Sequence, residues 1–167
     1  MNSRDAIVAE IPRLRRYARA LTGRMDAADD LVQETLERAI EKWRFWQRGR
    51  ELRPWLFSIM HNLHVDQLRH ERRVEYGNEE DFAGLCDPPH QTDGLELRDL
   101  DRALALLPVE QREILLLVGL EELSYKEVAG TLGLPLGTVM SRLSRARAHL
   151  RAILAGEAVP HLQVIRS

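Results

Sequence analysis

The 167-residue chain holds a single cysteine, Cys86, which excludes a disulfide framework and fits a reducing compartment. Aromatic side chains are scarce, at 5%, and β-branched residues nowhere cluster into alternating runs, so the material for strands is thin. The N-terminus lacks an apolar run of signal-peptide type. The longest apolar stretch, Ile114 to Leu120, is far too short to cross a bilayer. These absences describe a soluble, cytoplasmic chain without membrane insertion. Phosphate loops, Cys/His metal clusters and nucleophile motifs are also missing, which leaves an enzyme the least supported class and implies no cofactor and no metal. A strong excess of one charge is absent too: the formal net charge is −2, so bulk charge does not announce a nucleic-acid binder.

What is present favours helices. Apolar residues reach 44% and charged residues 30%, enough for a packed core, and Leu, Ala, Arg and Glu dominate. Charge is segregated along the chain. From Leu136 to Ala155 there are four arginines (Arg142, Arg145, Arg147, Arg151) and no acid, whereas Tyr76 to Asp101 carries eight acids and one arginine, Arg98. Separated blocks of opposite sign let one part of a chain bind DNA while another avoids it.

Helical stripes follow one another. Ser3 is placed to cap a first helix with Ile7, Val8 and Ile11 on one side, Pro12 kinks or restarts it, and Leu14, Tyr17, Ala18 and Leu21 continue the stripe to Gly23. Asp26 is the next capping candidate, before Ala28, Leu31, Val32, Leu36, Ala39, Ile40 and Trp43. After the break Phe45 to Arg50, Pro54 opens a third helix bearing Trp55, Leu56, Ile59, Met60, Leu63 and Leu68. Periodicity stops between about Tyr76 and Asp93, an acidic stretch with Pro88 and Pro89. A loop this long inside one compact domain is unusual, so the expected fold is all-α: two small helical domains joined by a flexible acidic linker. The boundaries are 1–75, linker 76–93, 94–155 and a tail 156–167.

The second domain is expected to contain a helix-turn-helix. Leu95, Leu97, Leu100, Ala103, Leu104 and Leu107 form one stripe, and Pro108 begins a leucine-rich helix to Gly119. Ser124 with Glu127 makes a capping box, Gly133 supplies the left-handed turn residue, and a last helix runs from Leu136 or Gly137 to about Leu154. At 100° per residue, Val139, Leu143, Ala146, Leu150 and Ile153 share one narrow face. Ser141, Ser144, Arg145 and Ala148 lie opposite, with Thr138, Arg142, Arg147 and His149 on the flanks. Small polar residues and arginines so arranged suit a helix docked in the major groove. A solvated amphipathic helix would explain the arginines alone, but not the capping box, turn chemistry and acid-free face together.

The segments Leu107 to Leu117, Ser124 to Ala129 and Gly137 to Arg147 resemble the −35-reading domain of bacterial extracytoplasmic-function (ECF) RNA polymerase sigma factors. Ala28 to Leu36 resembles their core-polymerase-binding helix. Arg53 to Ile59, with Asn62 and Asp66-Gln67-Leu68-Arg69, resembles their −10-reading helix. The resemblance implies a dissociable subunit that binds core RNA polymerase and directs it to promoter DNA, under control of an anti-sigma protein. By the same resemblance Asp29, Asp30, Gln33 and Glu34 meet the clamp helices of the largest polymerase subunit. Trp46, Gln47 and Arg48 lie in the loop that captures an extruded −10 base. Arg53, His61, Asn62, Gln67 and Arg69 belong to the −10 helix, and Thr138, Ser141, Arg142, Ser144, Arg145 and Arg147 to the −35 contact.

Plainer readings stand beside these. The acids of the second helix also fit a solvated face, Phe45 and Trp46 also fit core packing beneath their loop, and the linker's acids also fit a simple tether. His61 and His64, one turn apart, lack a third metal ligand. Where many family members have arginine this chain has His61, which makes any phosphate contact there pH-dependent. A sigma-like decoy that sequesters an anti-sigma protein is a second hypothesis, but such decoys usually carry a receiver domain. A stand-alone repressor is a third, but it needs a dimerisation element and leaves the N-terminal half unexplained.

Overall fold

A computed structural model describes residues 2–46, 49–75 and 95–156, with the side chains of Ser3 and 95–98 left out. The linker, residues 157–167 of the tail, and Gln47 and Arg48 of the −10 loop lie outside the described residues. Within them the architecture is helical, as expected: α1 Ser3–Thr22, α2 Met25–Glu41, a 3₁₀ turn Trp43–Phe45, α3 Leu52–Glu75, α4 Leu95–Leu106, α5 Val109–Leu115, α6 Tyr125–Leu132 and α7 Leu136–Leu154.

The first three helices bury most of the stripes read from the sequence, but Val8 and Ile40, at their margins, stay exposed. Ile7, Leu14, Tyr17, Ala18 and Leu21 of α1 meet Ala28, Leu31, Val32 and Ala39 of α2 and Leu56, Phe57, Ile59, Met60 and Leu63 of α3. The Tyr17 and Phe57 rings pack edge to face, 4.9 Å between centroids. Three local expectations are corrected. Asn2, not Ser3, is the N-cap of α1, without a side-chain cap bond. Pro12 sits inside one continuous α1, because the apolar stripe buried before and after it outweighs the roughly 3 kcal/mol of a lost bond and ring clash. Arg24, not Asp26, is the N-cap of α2. Asp26 instead lies in the first turn, where the Ala27 N–H and then the Arg24 side chain hold its pKa below the usual carboxylate range. Gly23 does end α1 in the left-handed region, φ 69°, its N–H donating to the Arg19 carbonyl.

The second unit wraps α4, α5 and α6 around α7, whose Val139, Leu143 and Ala146 are buried. The helix expected from Val109 to Gly119 is α only to Leu115 and then widens into a π turn, Leu116–Leu120. It closes with Leu123 N–H donating to the Leu117 carbonyl at 3.0 Å and Glu122 at φ 56°. That bond spans one residue more than the six-to-one bond of a Schellman closure, and the left-handed place before it is one usually taken by glycine at helix ends.

The two units are packed on one another, and their buried side chains form one continuous cluster. At the seam α6 lies against α3 and the π turn against α1. Glu121, fully buried, accepts from Arg16 Nη2 at 3.1 Å and lies 3.8 Å from Arg13 Nη1. Arg16 also donates to the Leu120 carbonyl. Thr131 Oγ1 donates to the Pro54 carbonyl at 3.4 Å, and His61 Nδ1 lies 2.5 Å from Glu113 Oε1. His64, one turn on, is buried. Burial is the main reason its pKa falls below the ordinary histidine value; Glu113 opposes the shift, while Arg112 and His61 add to it.

Two stability predictions result. Glu122→Gly removes the left-handed strain and should raise stability by about 0.5–1 kcal/mol after the entropy of an added glycine, read as a higher urea midpoint. An unchanged or lower midpoint would contradict it. For His64 the folded pKa is depressed, so the unfolded chain binds the proton first. Its contribution is complete above about pH 6.5 and is lost as pH falls toward the folded value. His64→Leu should therefore flatten the fall in melting temperature between pH 7 and pH 5; an identical slope in both proteins would show that His64 does not titrate with unfolding.

Candidate nucleic-acid interface

The most developed candidate surface is built on α6 and α7. Ser124 N–H donates to Glu127 Oε2 at 2.7 Å and Glu127 N–H donates to Ser124 Oγ at 3.1 Å, so both sides of the capping box are formed. Gly133 ends α6 at φ 65°, and its left-handed backbone turns the chain into α7, which begins at Leu136. Val128 of α6 and Val139 of α7 are both fully buried, which locks the two helices together.

With its core face so fixed, α7 turns Ser141, Ser144, Arg145 and Arg147 outward, while Thr138 and Arg142 are half-buried at the flanks. From Thr138 to Arg147 the helix rises about 13 Å, comparable with the width of a major groove. Among the described residues no carboxylate pairs with Arg142, Arg145, Arg147 or Arg151. Their charge is therefore available to an outside anion. Ser141 Oγ donates back to the Thr138 carbonyl at 3.2 Å, and the hydroxyl oxygen keeps its lone pairs. His149 is turned inward to Gln111, 2.8 Å away.

The N-terminal candidates do not gather on one surface. Asn62 and Arg69 are exposed and share one side of α3, two turns apart. Arg53 instead makes a bidentate pair with Glu10 of α1, at 3.0 and 3.3 Å, and that hydrogen-bonded partner raises its pKa. Gln67 donates to Glu34 of α2 at 3.2 Å, joining a residue read as DNA-facing to one read as polymerase-facing. His61 faces Glu113 across the seam. On α2, Asp29, Asp30 and Gln33 are exposed along one side and Glu34 is half-buried; Gln33 donates to Glu37.

The loop before α3 is organised by tryptophan. Trp43 and Trp46 stack at 4.9 Å, and both face Trp55 at the start of α3, 6.2 and 6.4 Å away. Trp46 is thus half-buried, its Nε1 without a hydrogen-bond partner, while Phe45 is 81% exposed. Packing beneath the loop describes Trp46 and does not describe Phe45. Beside them Arg50, Glu51, Pro54, Trp55 and Ser58 face Glu127, Gly130 and Thr131 across a cleft of about 380 Å³.

Sequence reasoning missed the seam residues Arg13, Arg16, Arg112 and Glu121. The one available signal was charge inside apolar runs: Arg112-Glu113 between Val109 and Ile114, and Glu121 after Leu120. No described helix is long and apolar enough to cross a membrane.

Comparison with known proteins covers both halves. Residues 7–61 match the sigma2 domain of PhyR, and residues 97–150 match sigma-70 region 4. The ECF RNA polymerase sigma factor EcfG of Rhodopseudomonas palustris is 44% identical over 152 residues, covering 90% of this chain and 84% of the relative. Among solved structures, the sigma factor RpoE of Bartonella quintana, in complex with the anti-sigma factor NepR, superposes with a TM-score of 0.80 at 34% identity, over 93% of this chain and 98% of that one. CnrH, in complex with the cytosolic domain of CnrY, gives 0.70 at 28% identity, over 94% and 92%. Matched in both halves and in their order, the chain belongs to the ECF RNA polymerase sigma factors.

Proposed function

We propose that this sigma factor divides promoter reading between its two helical units. Residues 1–75 bind core polymerase and the −10 element, and residues 94–155 bind the −35 element. The observation that carries the reading is α7: an acid-free recognition helix with outward Ser141, Ser144 and Arg145, flanking Thr138, Arg142 and Arg147, and, among the described residues, no carboxylate pairing with the arginines. Serines near the helix start reach base edges, Arg145 suits bidentate contact with guanine, and the flanking arginines suit phosphates.

In the N-terminal unit, the exposure of Asn62 and Arg69 on one side of α3 supports them as −10 contacts, and Gln47 and Arg48, outside the described residues, join them by family resemblance. Trp46 supports that loop by stacking. Arg53 and Gln67 act as positioning residues through Glu10 and Glu34. Asp29, Asp30 and Gln33 present acceptors and an amide to the polymerase. Work of this kind takes place in the cytoplasm, where polymerase and promoter DNA are, and the chemistry of RNA synthesis stays with the polymerase.

The seam fits a polymerase-free state. His61 can approach DNA only when Glu113 releases it, and two units that read separate elements must part at the Arg13/Arg16–Glu121 contact. The likeness over both halves to a sigma factor held by an anti-sigma protein supports the same reading. An anti-sigma partner would hold the packed form, and polymerase would hold the parted one.

Run-off transcription with core polymerase and a genomic promoter library tests the function: added protein should start transcripts at a defined promoter subset, and no specific transcripts from active core enzyme would sink it. Within that assay Arg145→Ala should lower use of some −35 sequences about 5- to 150-fold, corresponding to about 1–3 kcal/mol for a base-edge contact. A uniform loss over all −35 variants would make Arg145 a phosphate contact instead. The double variant Arg13→Ala/Arg16→Ala leaves Glu121 buried without either of its ion-pair partners and should weaken the seam by about 2 kcal/mol. Small-angle scattering of the free protein should then report a larger radius of gyration; an unchanged radius would mean that apolar packing alone holds the units together.

A further inference from the structure

The outward side of α7 is not wholly polar. Leu136 and Met140, one turn apart, are 47% and 52% exposed, and they lie on the edge of the helix that faces the start of α6. There Met140 shares a shallow concavity with Tyr125, itself 37% exposed, and with Ser144, Arg147 and Arg151. An isolated exposed apolar side chain needs no explanation. A leucine, a methionine and a tyrosine grouped beside a free basic surface do need one.

The major groove offers such side chains one apolar partner, the 5-methyl group of thymine. Met140 is well suited to it. Its unbranched thioether is polarizable and adapts to the shape it meets, and its neighbours Ser141 and Ser144 would hydrogen-bond to adjacent base edges. Leu136 and Met140 are separated along the helix axis by about 6 Å, close to two base-pair steps of about 3.4 Å. A helix lying along the groove would bring them to pairs roughly two steps apart.

We infer that Met140, assisted by Leu136, is a specificity-determining contact that reads thymine methyl groups within the −35 element. The inference rests on the promoter-reading function of α7 and adds a preference that the serines and arginines cannot supply, since none of them distinguishes a base by its methyl group. The patch is also of a composition found at protein interfaces; continuity with the outward serines and with arginines that no described carboxylate pairs favours DNA.

Deoxyuridine isolates the contact, because replacing thymidine by deoxyuridine deletes the methyl group and leaves every hydrogen-bonding group in place. Holoenzyme reconstituted from core polymerase and the full chain would first select −35 sequences from a randomised duplex library. Each thymine of the selected element, on either strand, would then be replaced singly and competitive binding measured. At one or two positions the wild type should lose about four-fold, the scale of one buried methyl group. Met140→Leu should keep that loss and Met140→Ala should abolish it, while circular dichroism shows the fold unchanged at this exposed position. Equal sensitivity to deoxyuridine in wild type and Met140→Ala at every position would overturn the inference, as would a selected element without thymine. A Met140→Ala defect confined to binding an anti-sigma protein, with no change on DNA, would overturn it in favour of a protein contact. Failure of the wild type to select any −35 sequence is a different result: it would remove promoter reading by α7 and the methyl contact together.

Discussion

The guanidinium of Arg112 holds the two units in register. It enters from α5 and donates to the Leu21 carbonyl at the end of α1, and to the Leu104, Ala105 and Leu107 carbonyls at the end of α4. Helix C-termini leave carbonyls without intrahelical donors and carry partial negative charge. One cation therefore satisfies two helix ends that belong to different halves of the chain. Arginine's planar fork can serve several acceptors at once, whereas a lysine ammonium in its place would be a point charge without that geometry. The contact fixes where α5 stands against α1, and from there the positions of Glu113 and Glu121 at the seam follow. The same α5 packs along α7, so the anchor of the seam is also part of the bed on which the recognition helix rests.

The seam itself combines a broad apolar contact with few, strongly placed polar ones. Leu116, Leu117 and Leu123 are buried around the π turn, which keeps the joint specific in shape, since interiors are close-packed and respond to small misfits. Glu121 is fully buried while Arg13 and Arg16 stay substantially in solvent. Such a pair contributes modestly when intact, because exposed arginines are well hydrated elsewhere, yet losing the cations strands a carboxylate out of water. A joint of this kind is specific without being permanent. That is the property that the proposed packed and parted states require.

Local chemistry was legible in the sequence and long-range chemistry was not. The capping box of Ser124 and Glu127, the left-handed Gly23 and Gly133, and the buried edge of α7 all arise from residues within a few positions of one another, and periodicity with turn preference exposes them. Arg16–Glu121 and His61–Glu113 join residues far apart in the chain, and no local pattern encodes which charge will meet which. The π turn was hidden for a different reason: in a run of leucines every helical face is apolar, so the period has no marker. Asp26 shows how narrow a boundary decision can be. A carboxylate at the start of a helix is favoured equally at the cap and in the first turn, and Arg24 settled the matter by pairing with it from the cap position. Of the candidate site, the outward arrangement of the α7 side chains was readable because one helix carries it, whereas the pairing of Arg53 with Glu10 and of Gln67 with Glu34 was not, because it depends on how α3 packs toward α1 and α2.

The modest size of the proposed recognition surface is a reason for the two halves to act together. If Ser141, Ser144 and Arg145 read bases as proposed, they would supply a few kcal/mol of discrimination at about 1–3 kcal/mol for each good contact. A genome offers on the order of 10⁶ or more competing sites, which such a margin cannot overcome. The near-zero net charge compounds this: acids elsewhere in the chain oppose the non-specific phosphate attraction that lets strongly basic proteins dwell on DNA. Held on a polymerase beside a second reader, the same helix meets its element at high effective concentration, and the two weak discriminations multiply. On the proposed division of labour, the acids elsewhere in the chain would serve selectivity, because they would reserve the α7 arginines for sites that the other half of the protein has also accepted.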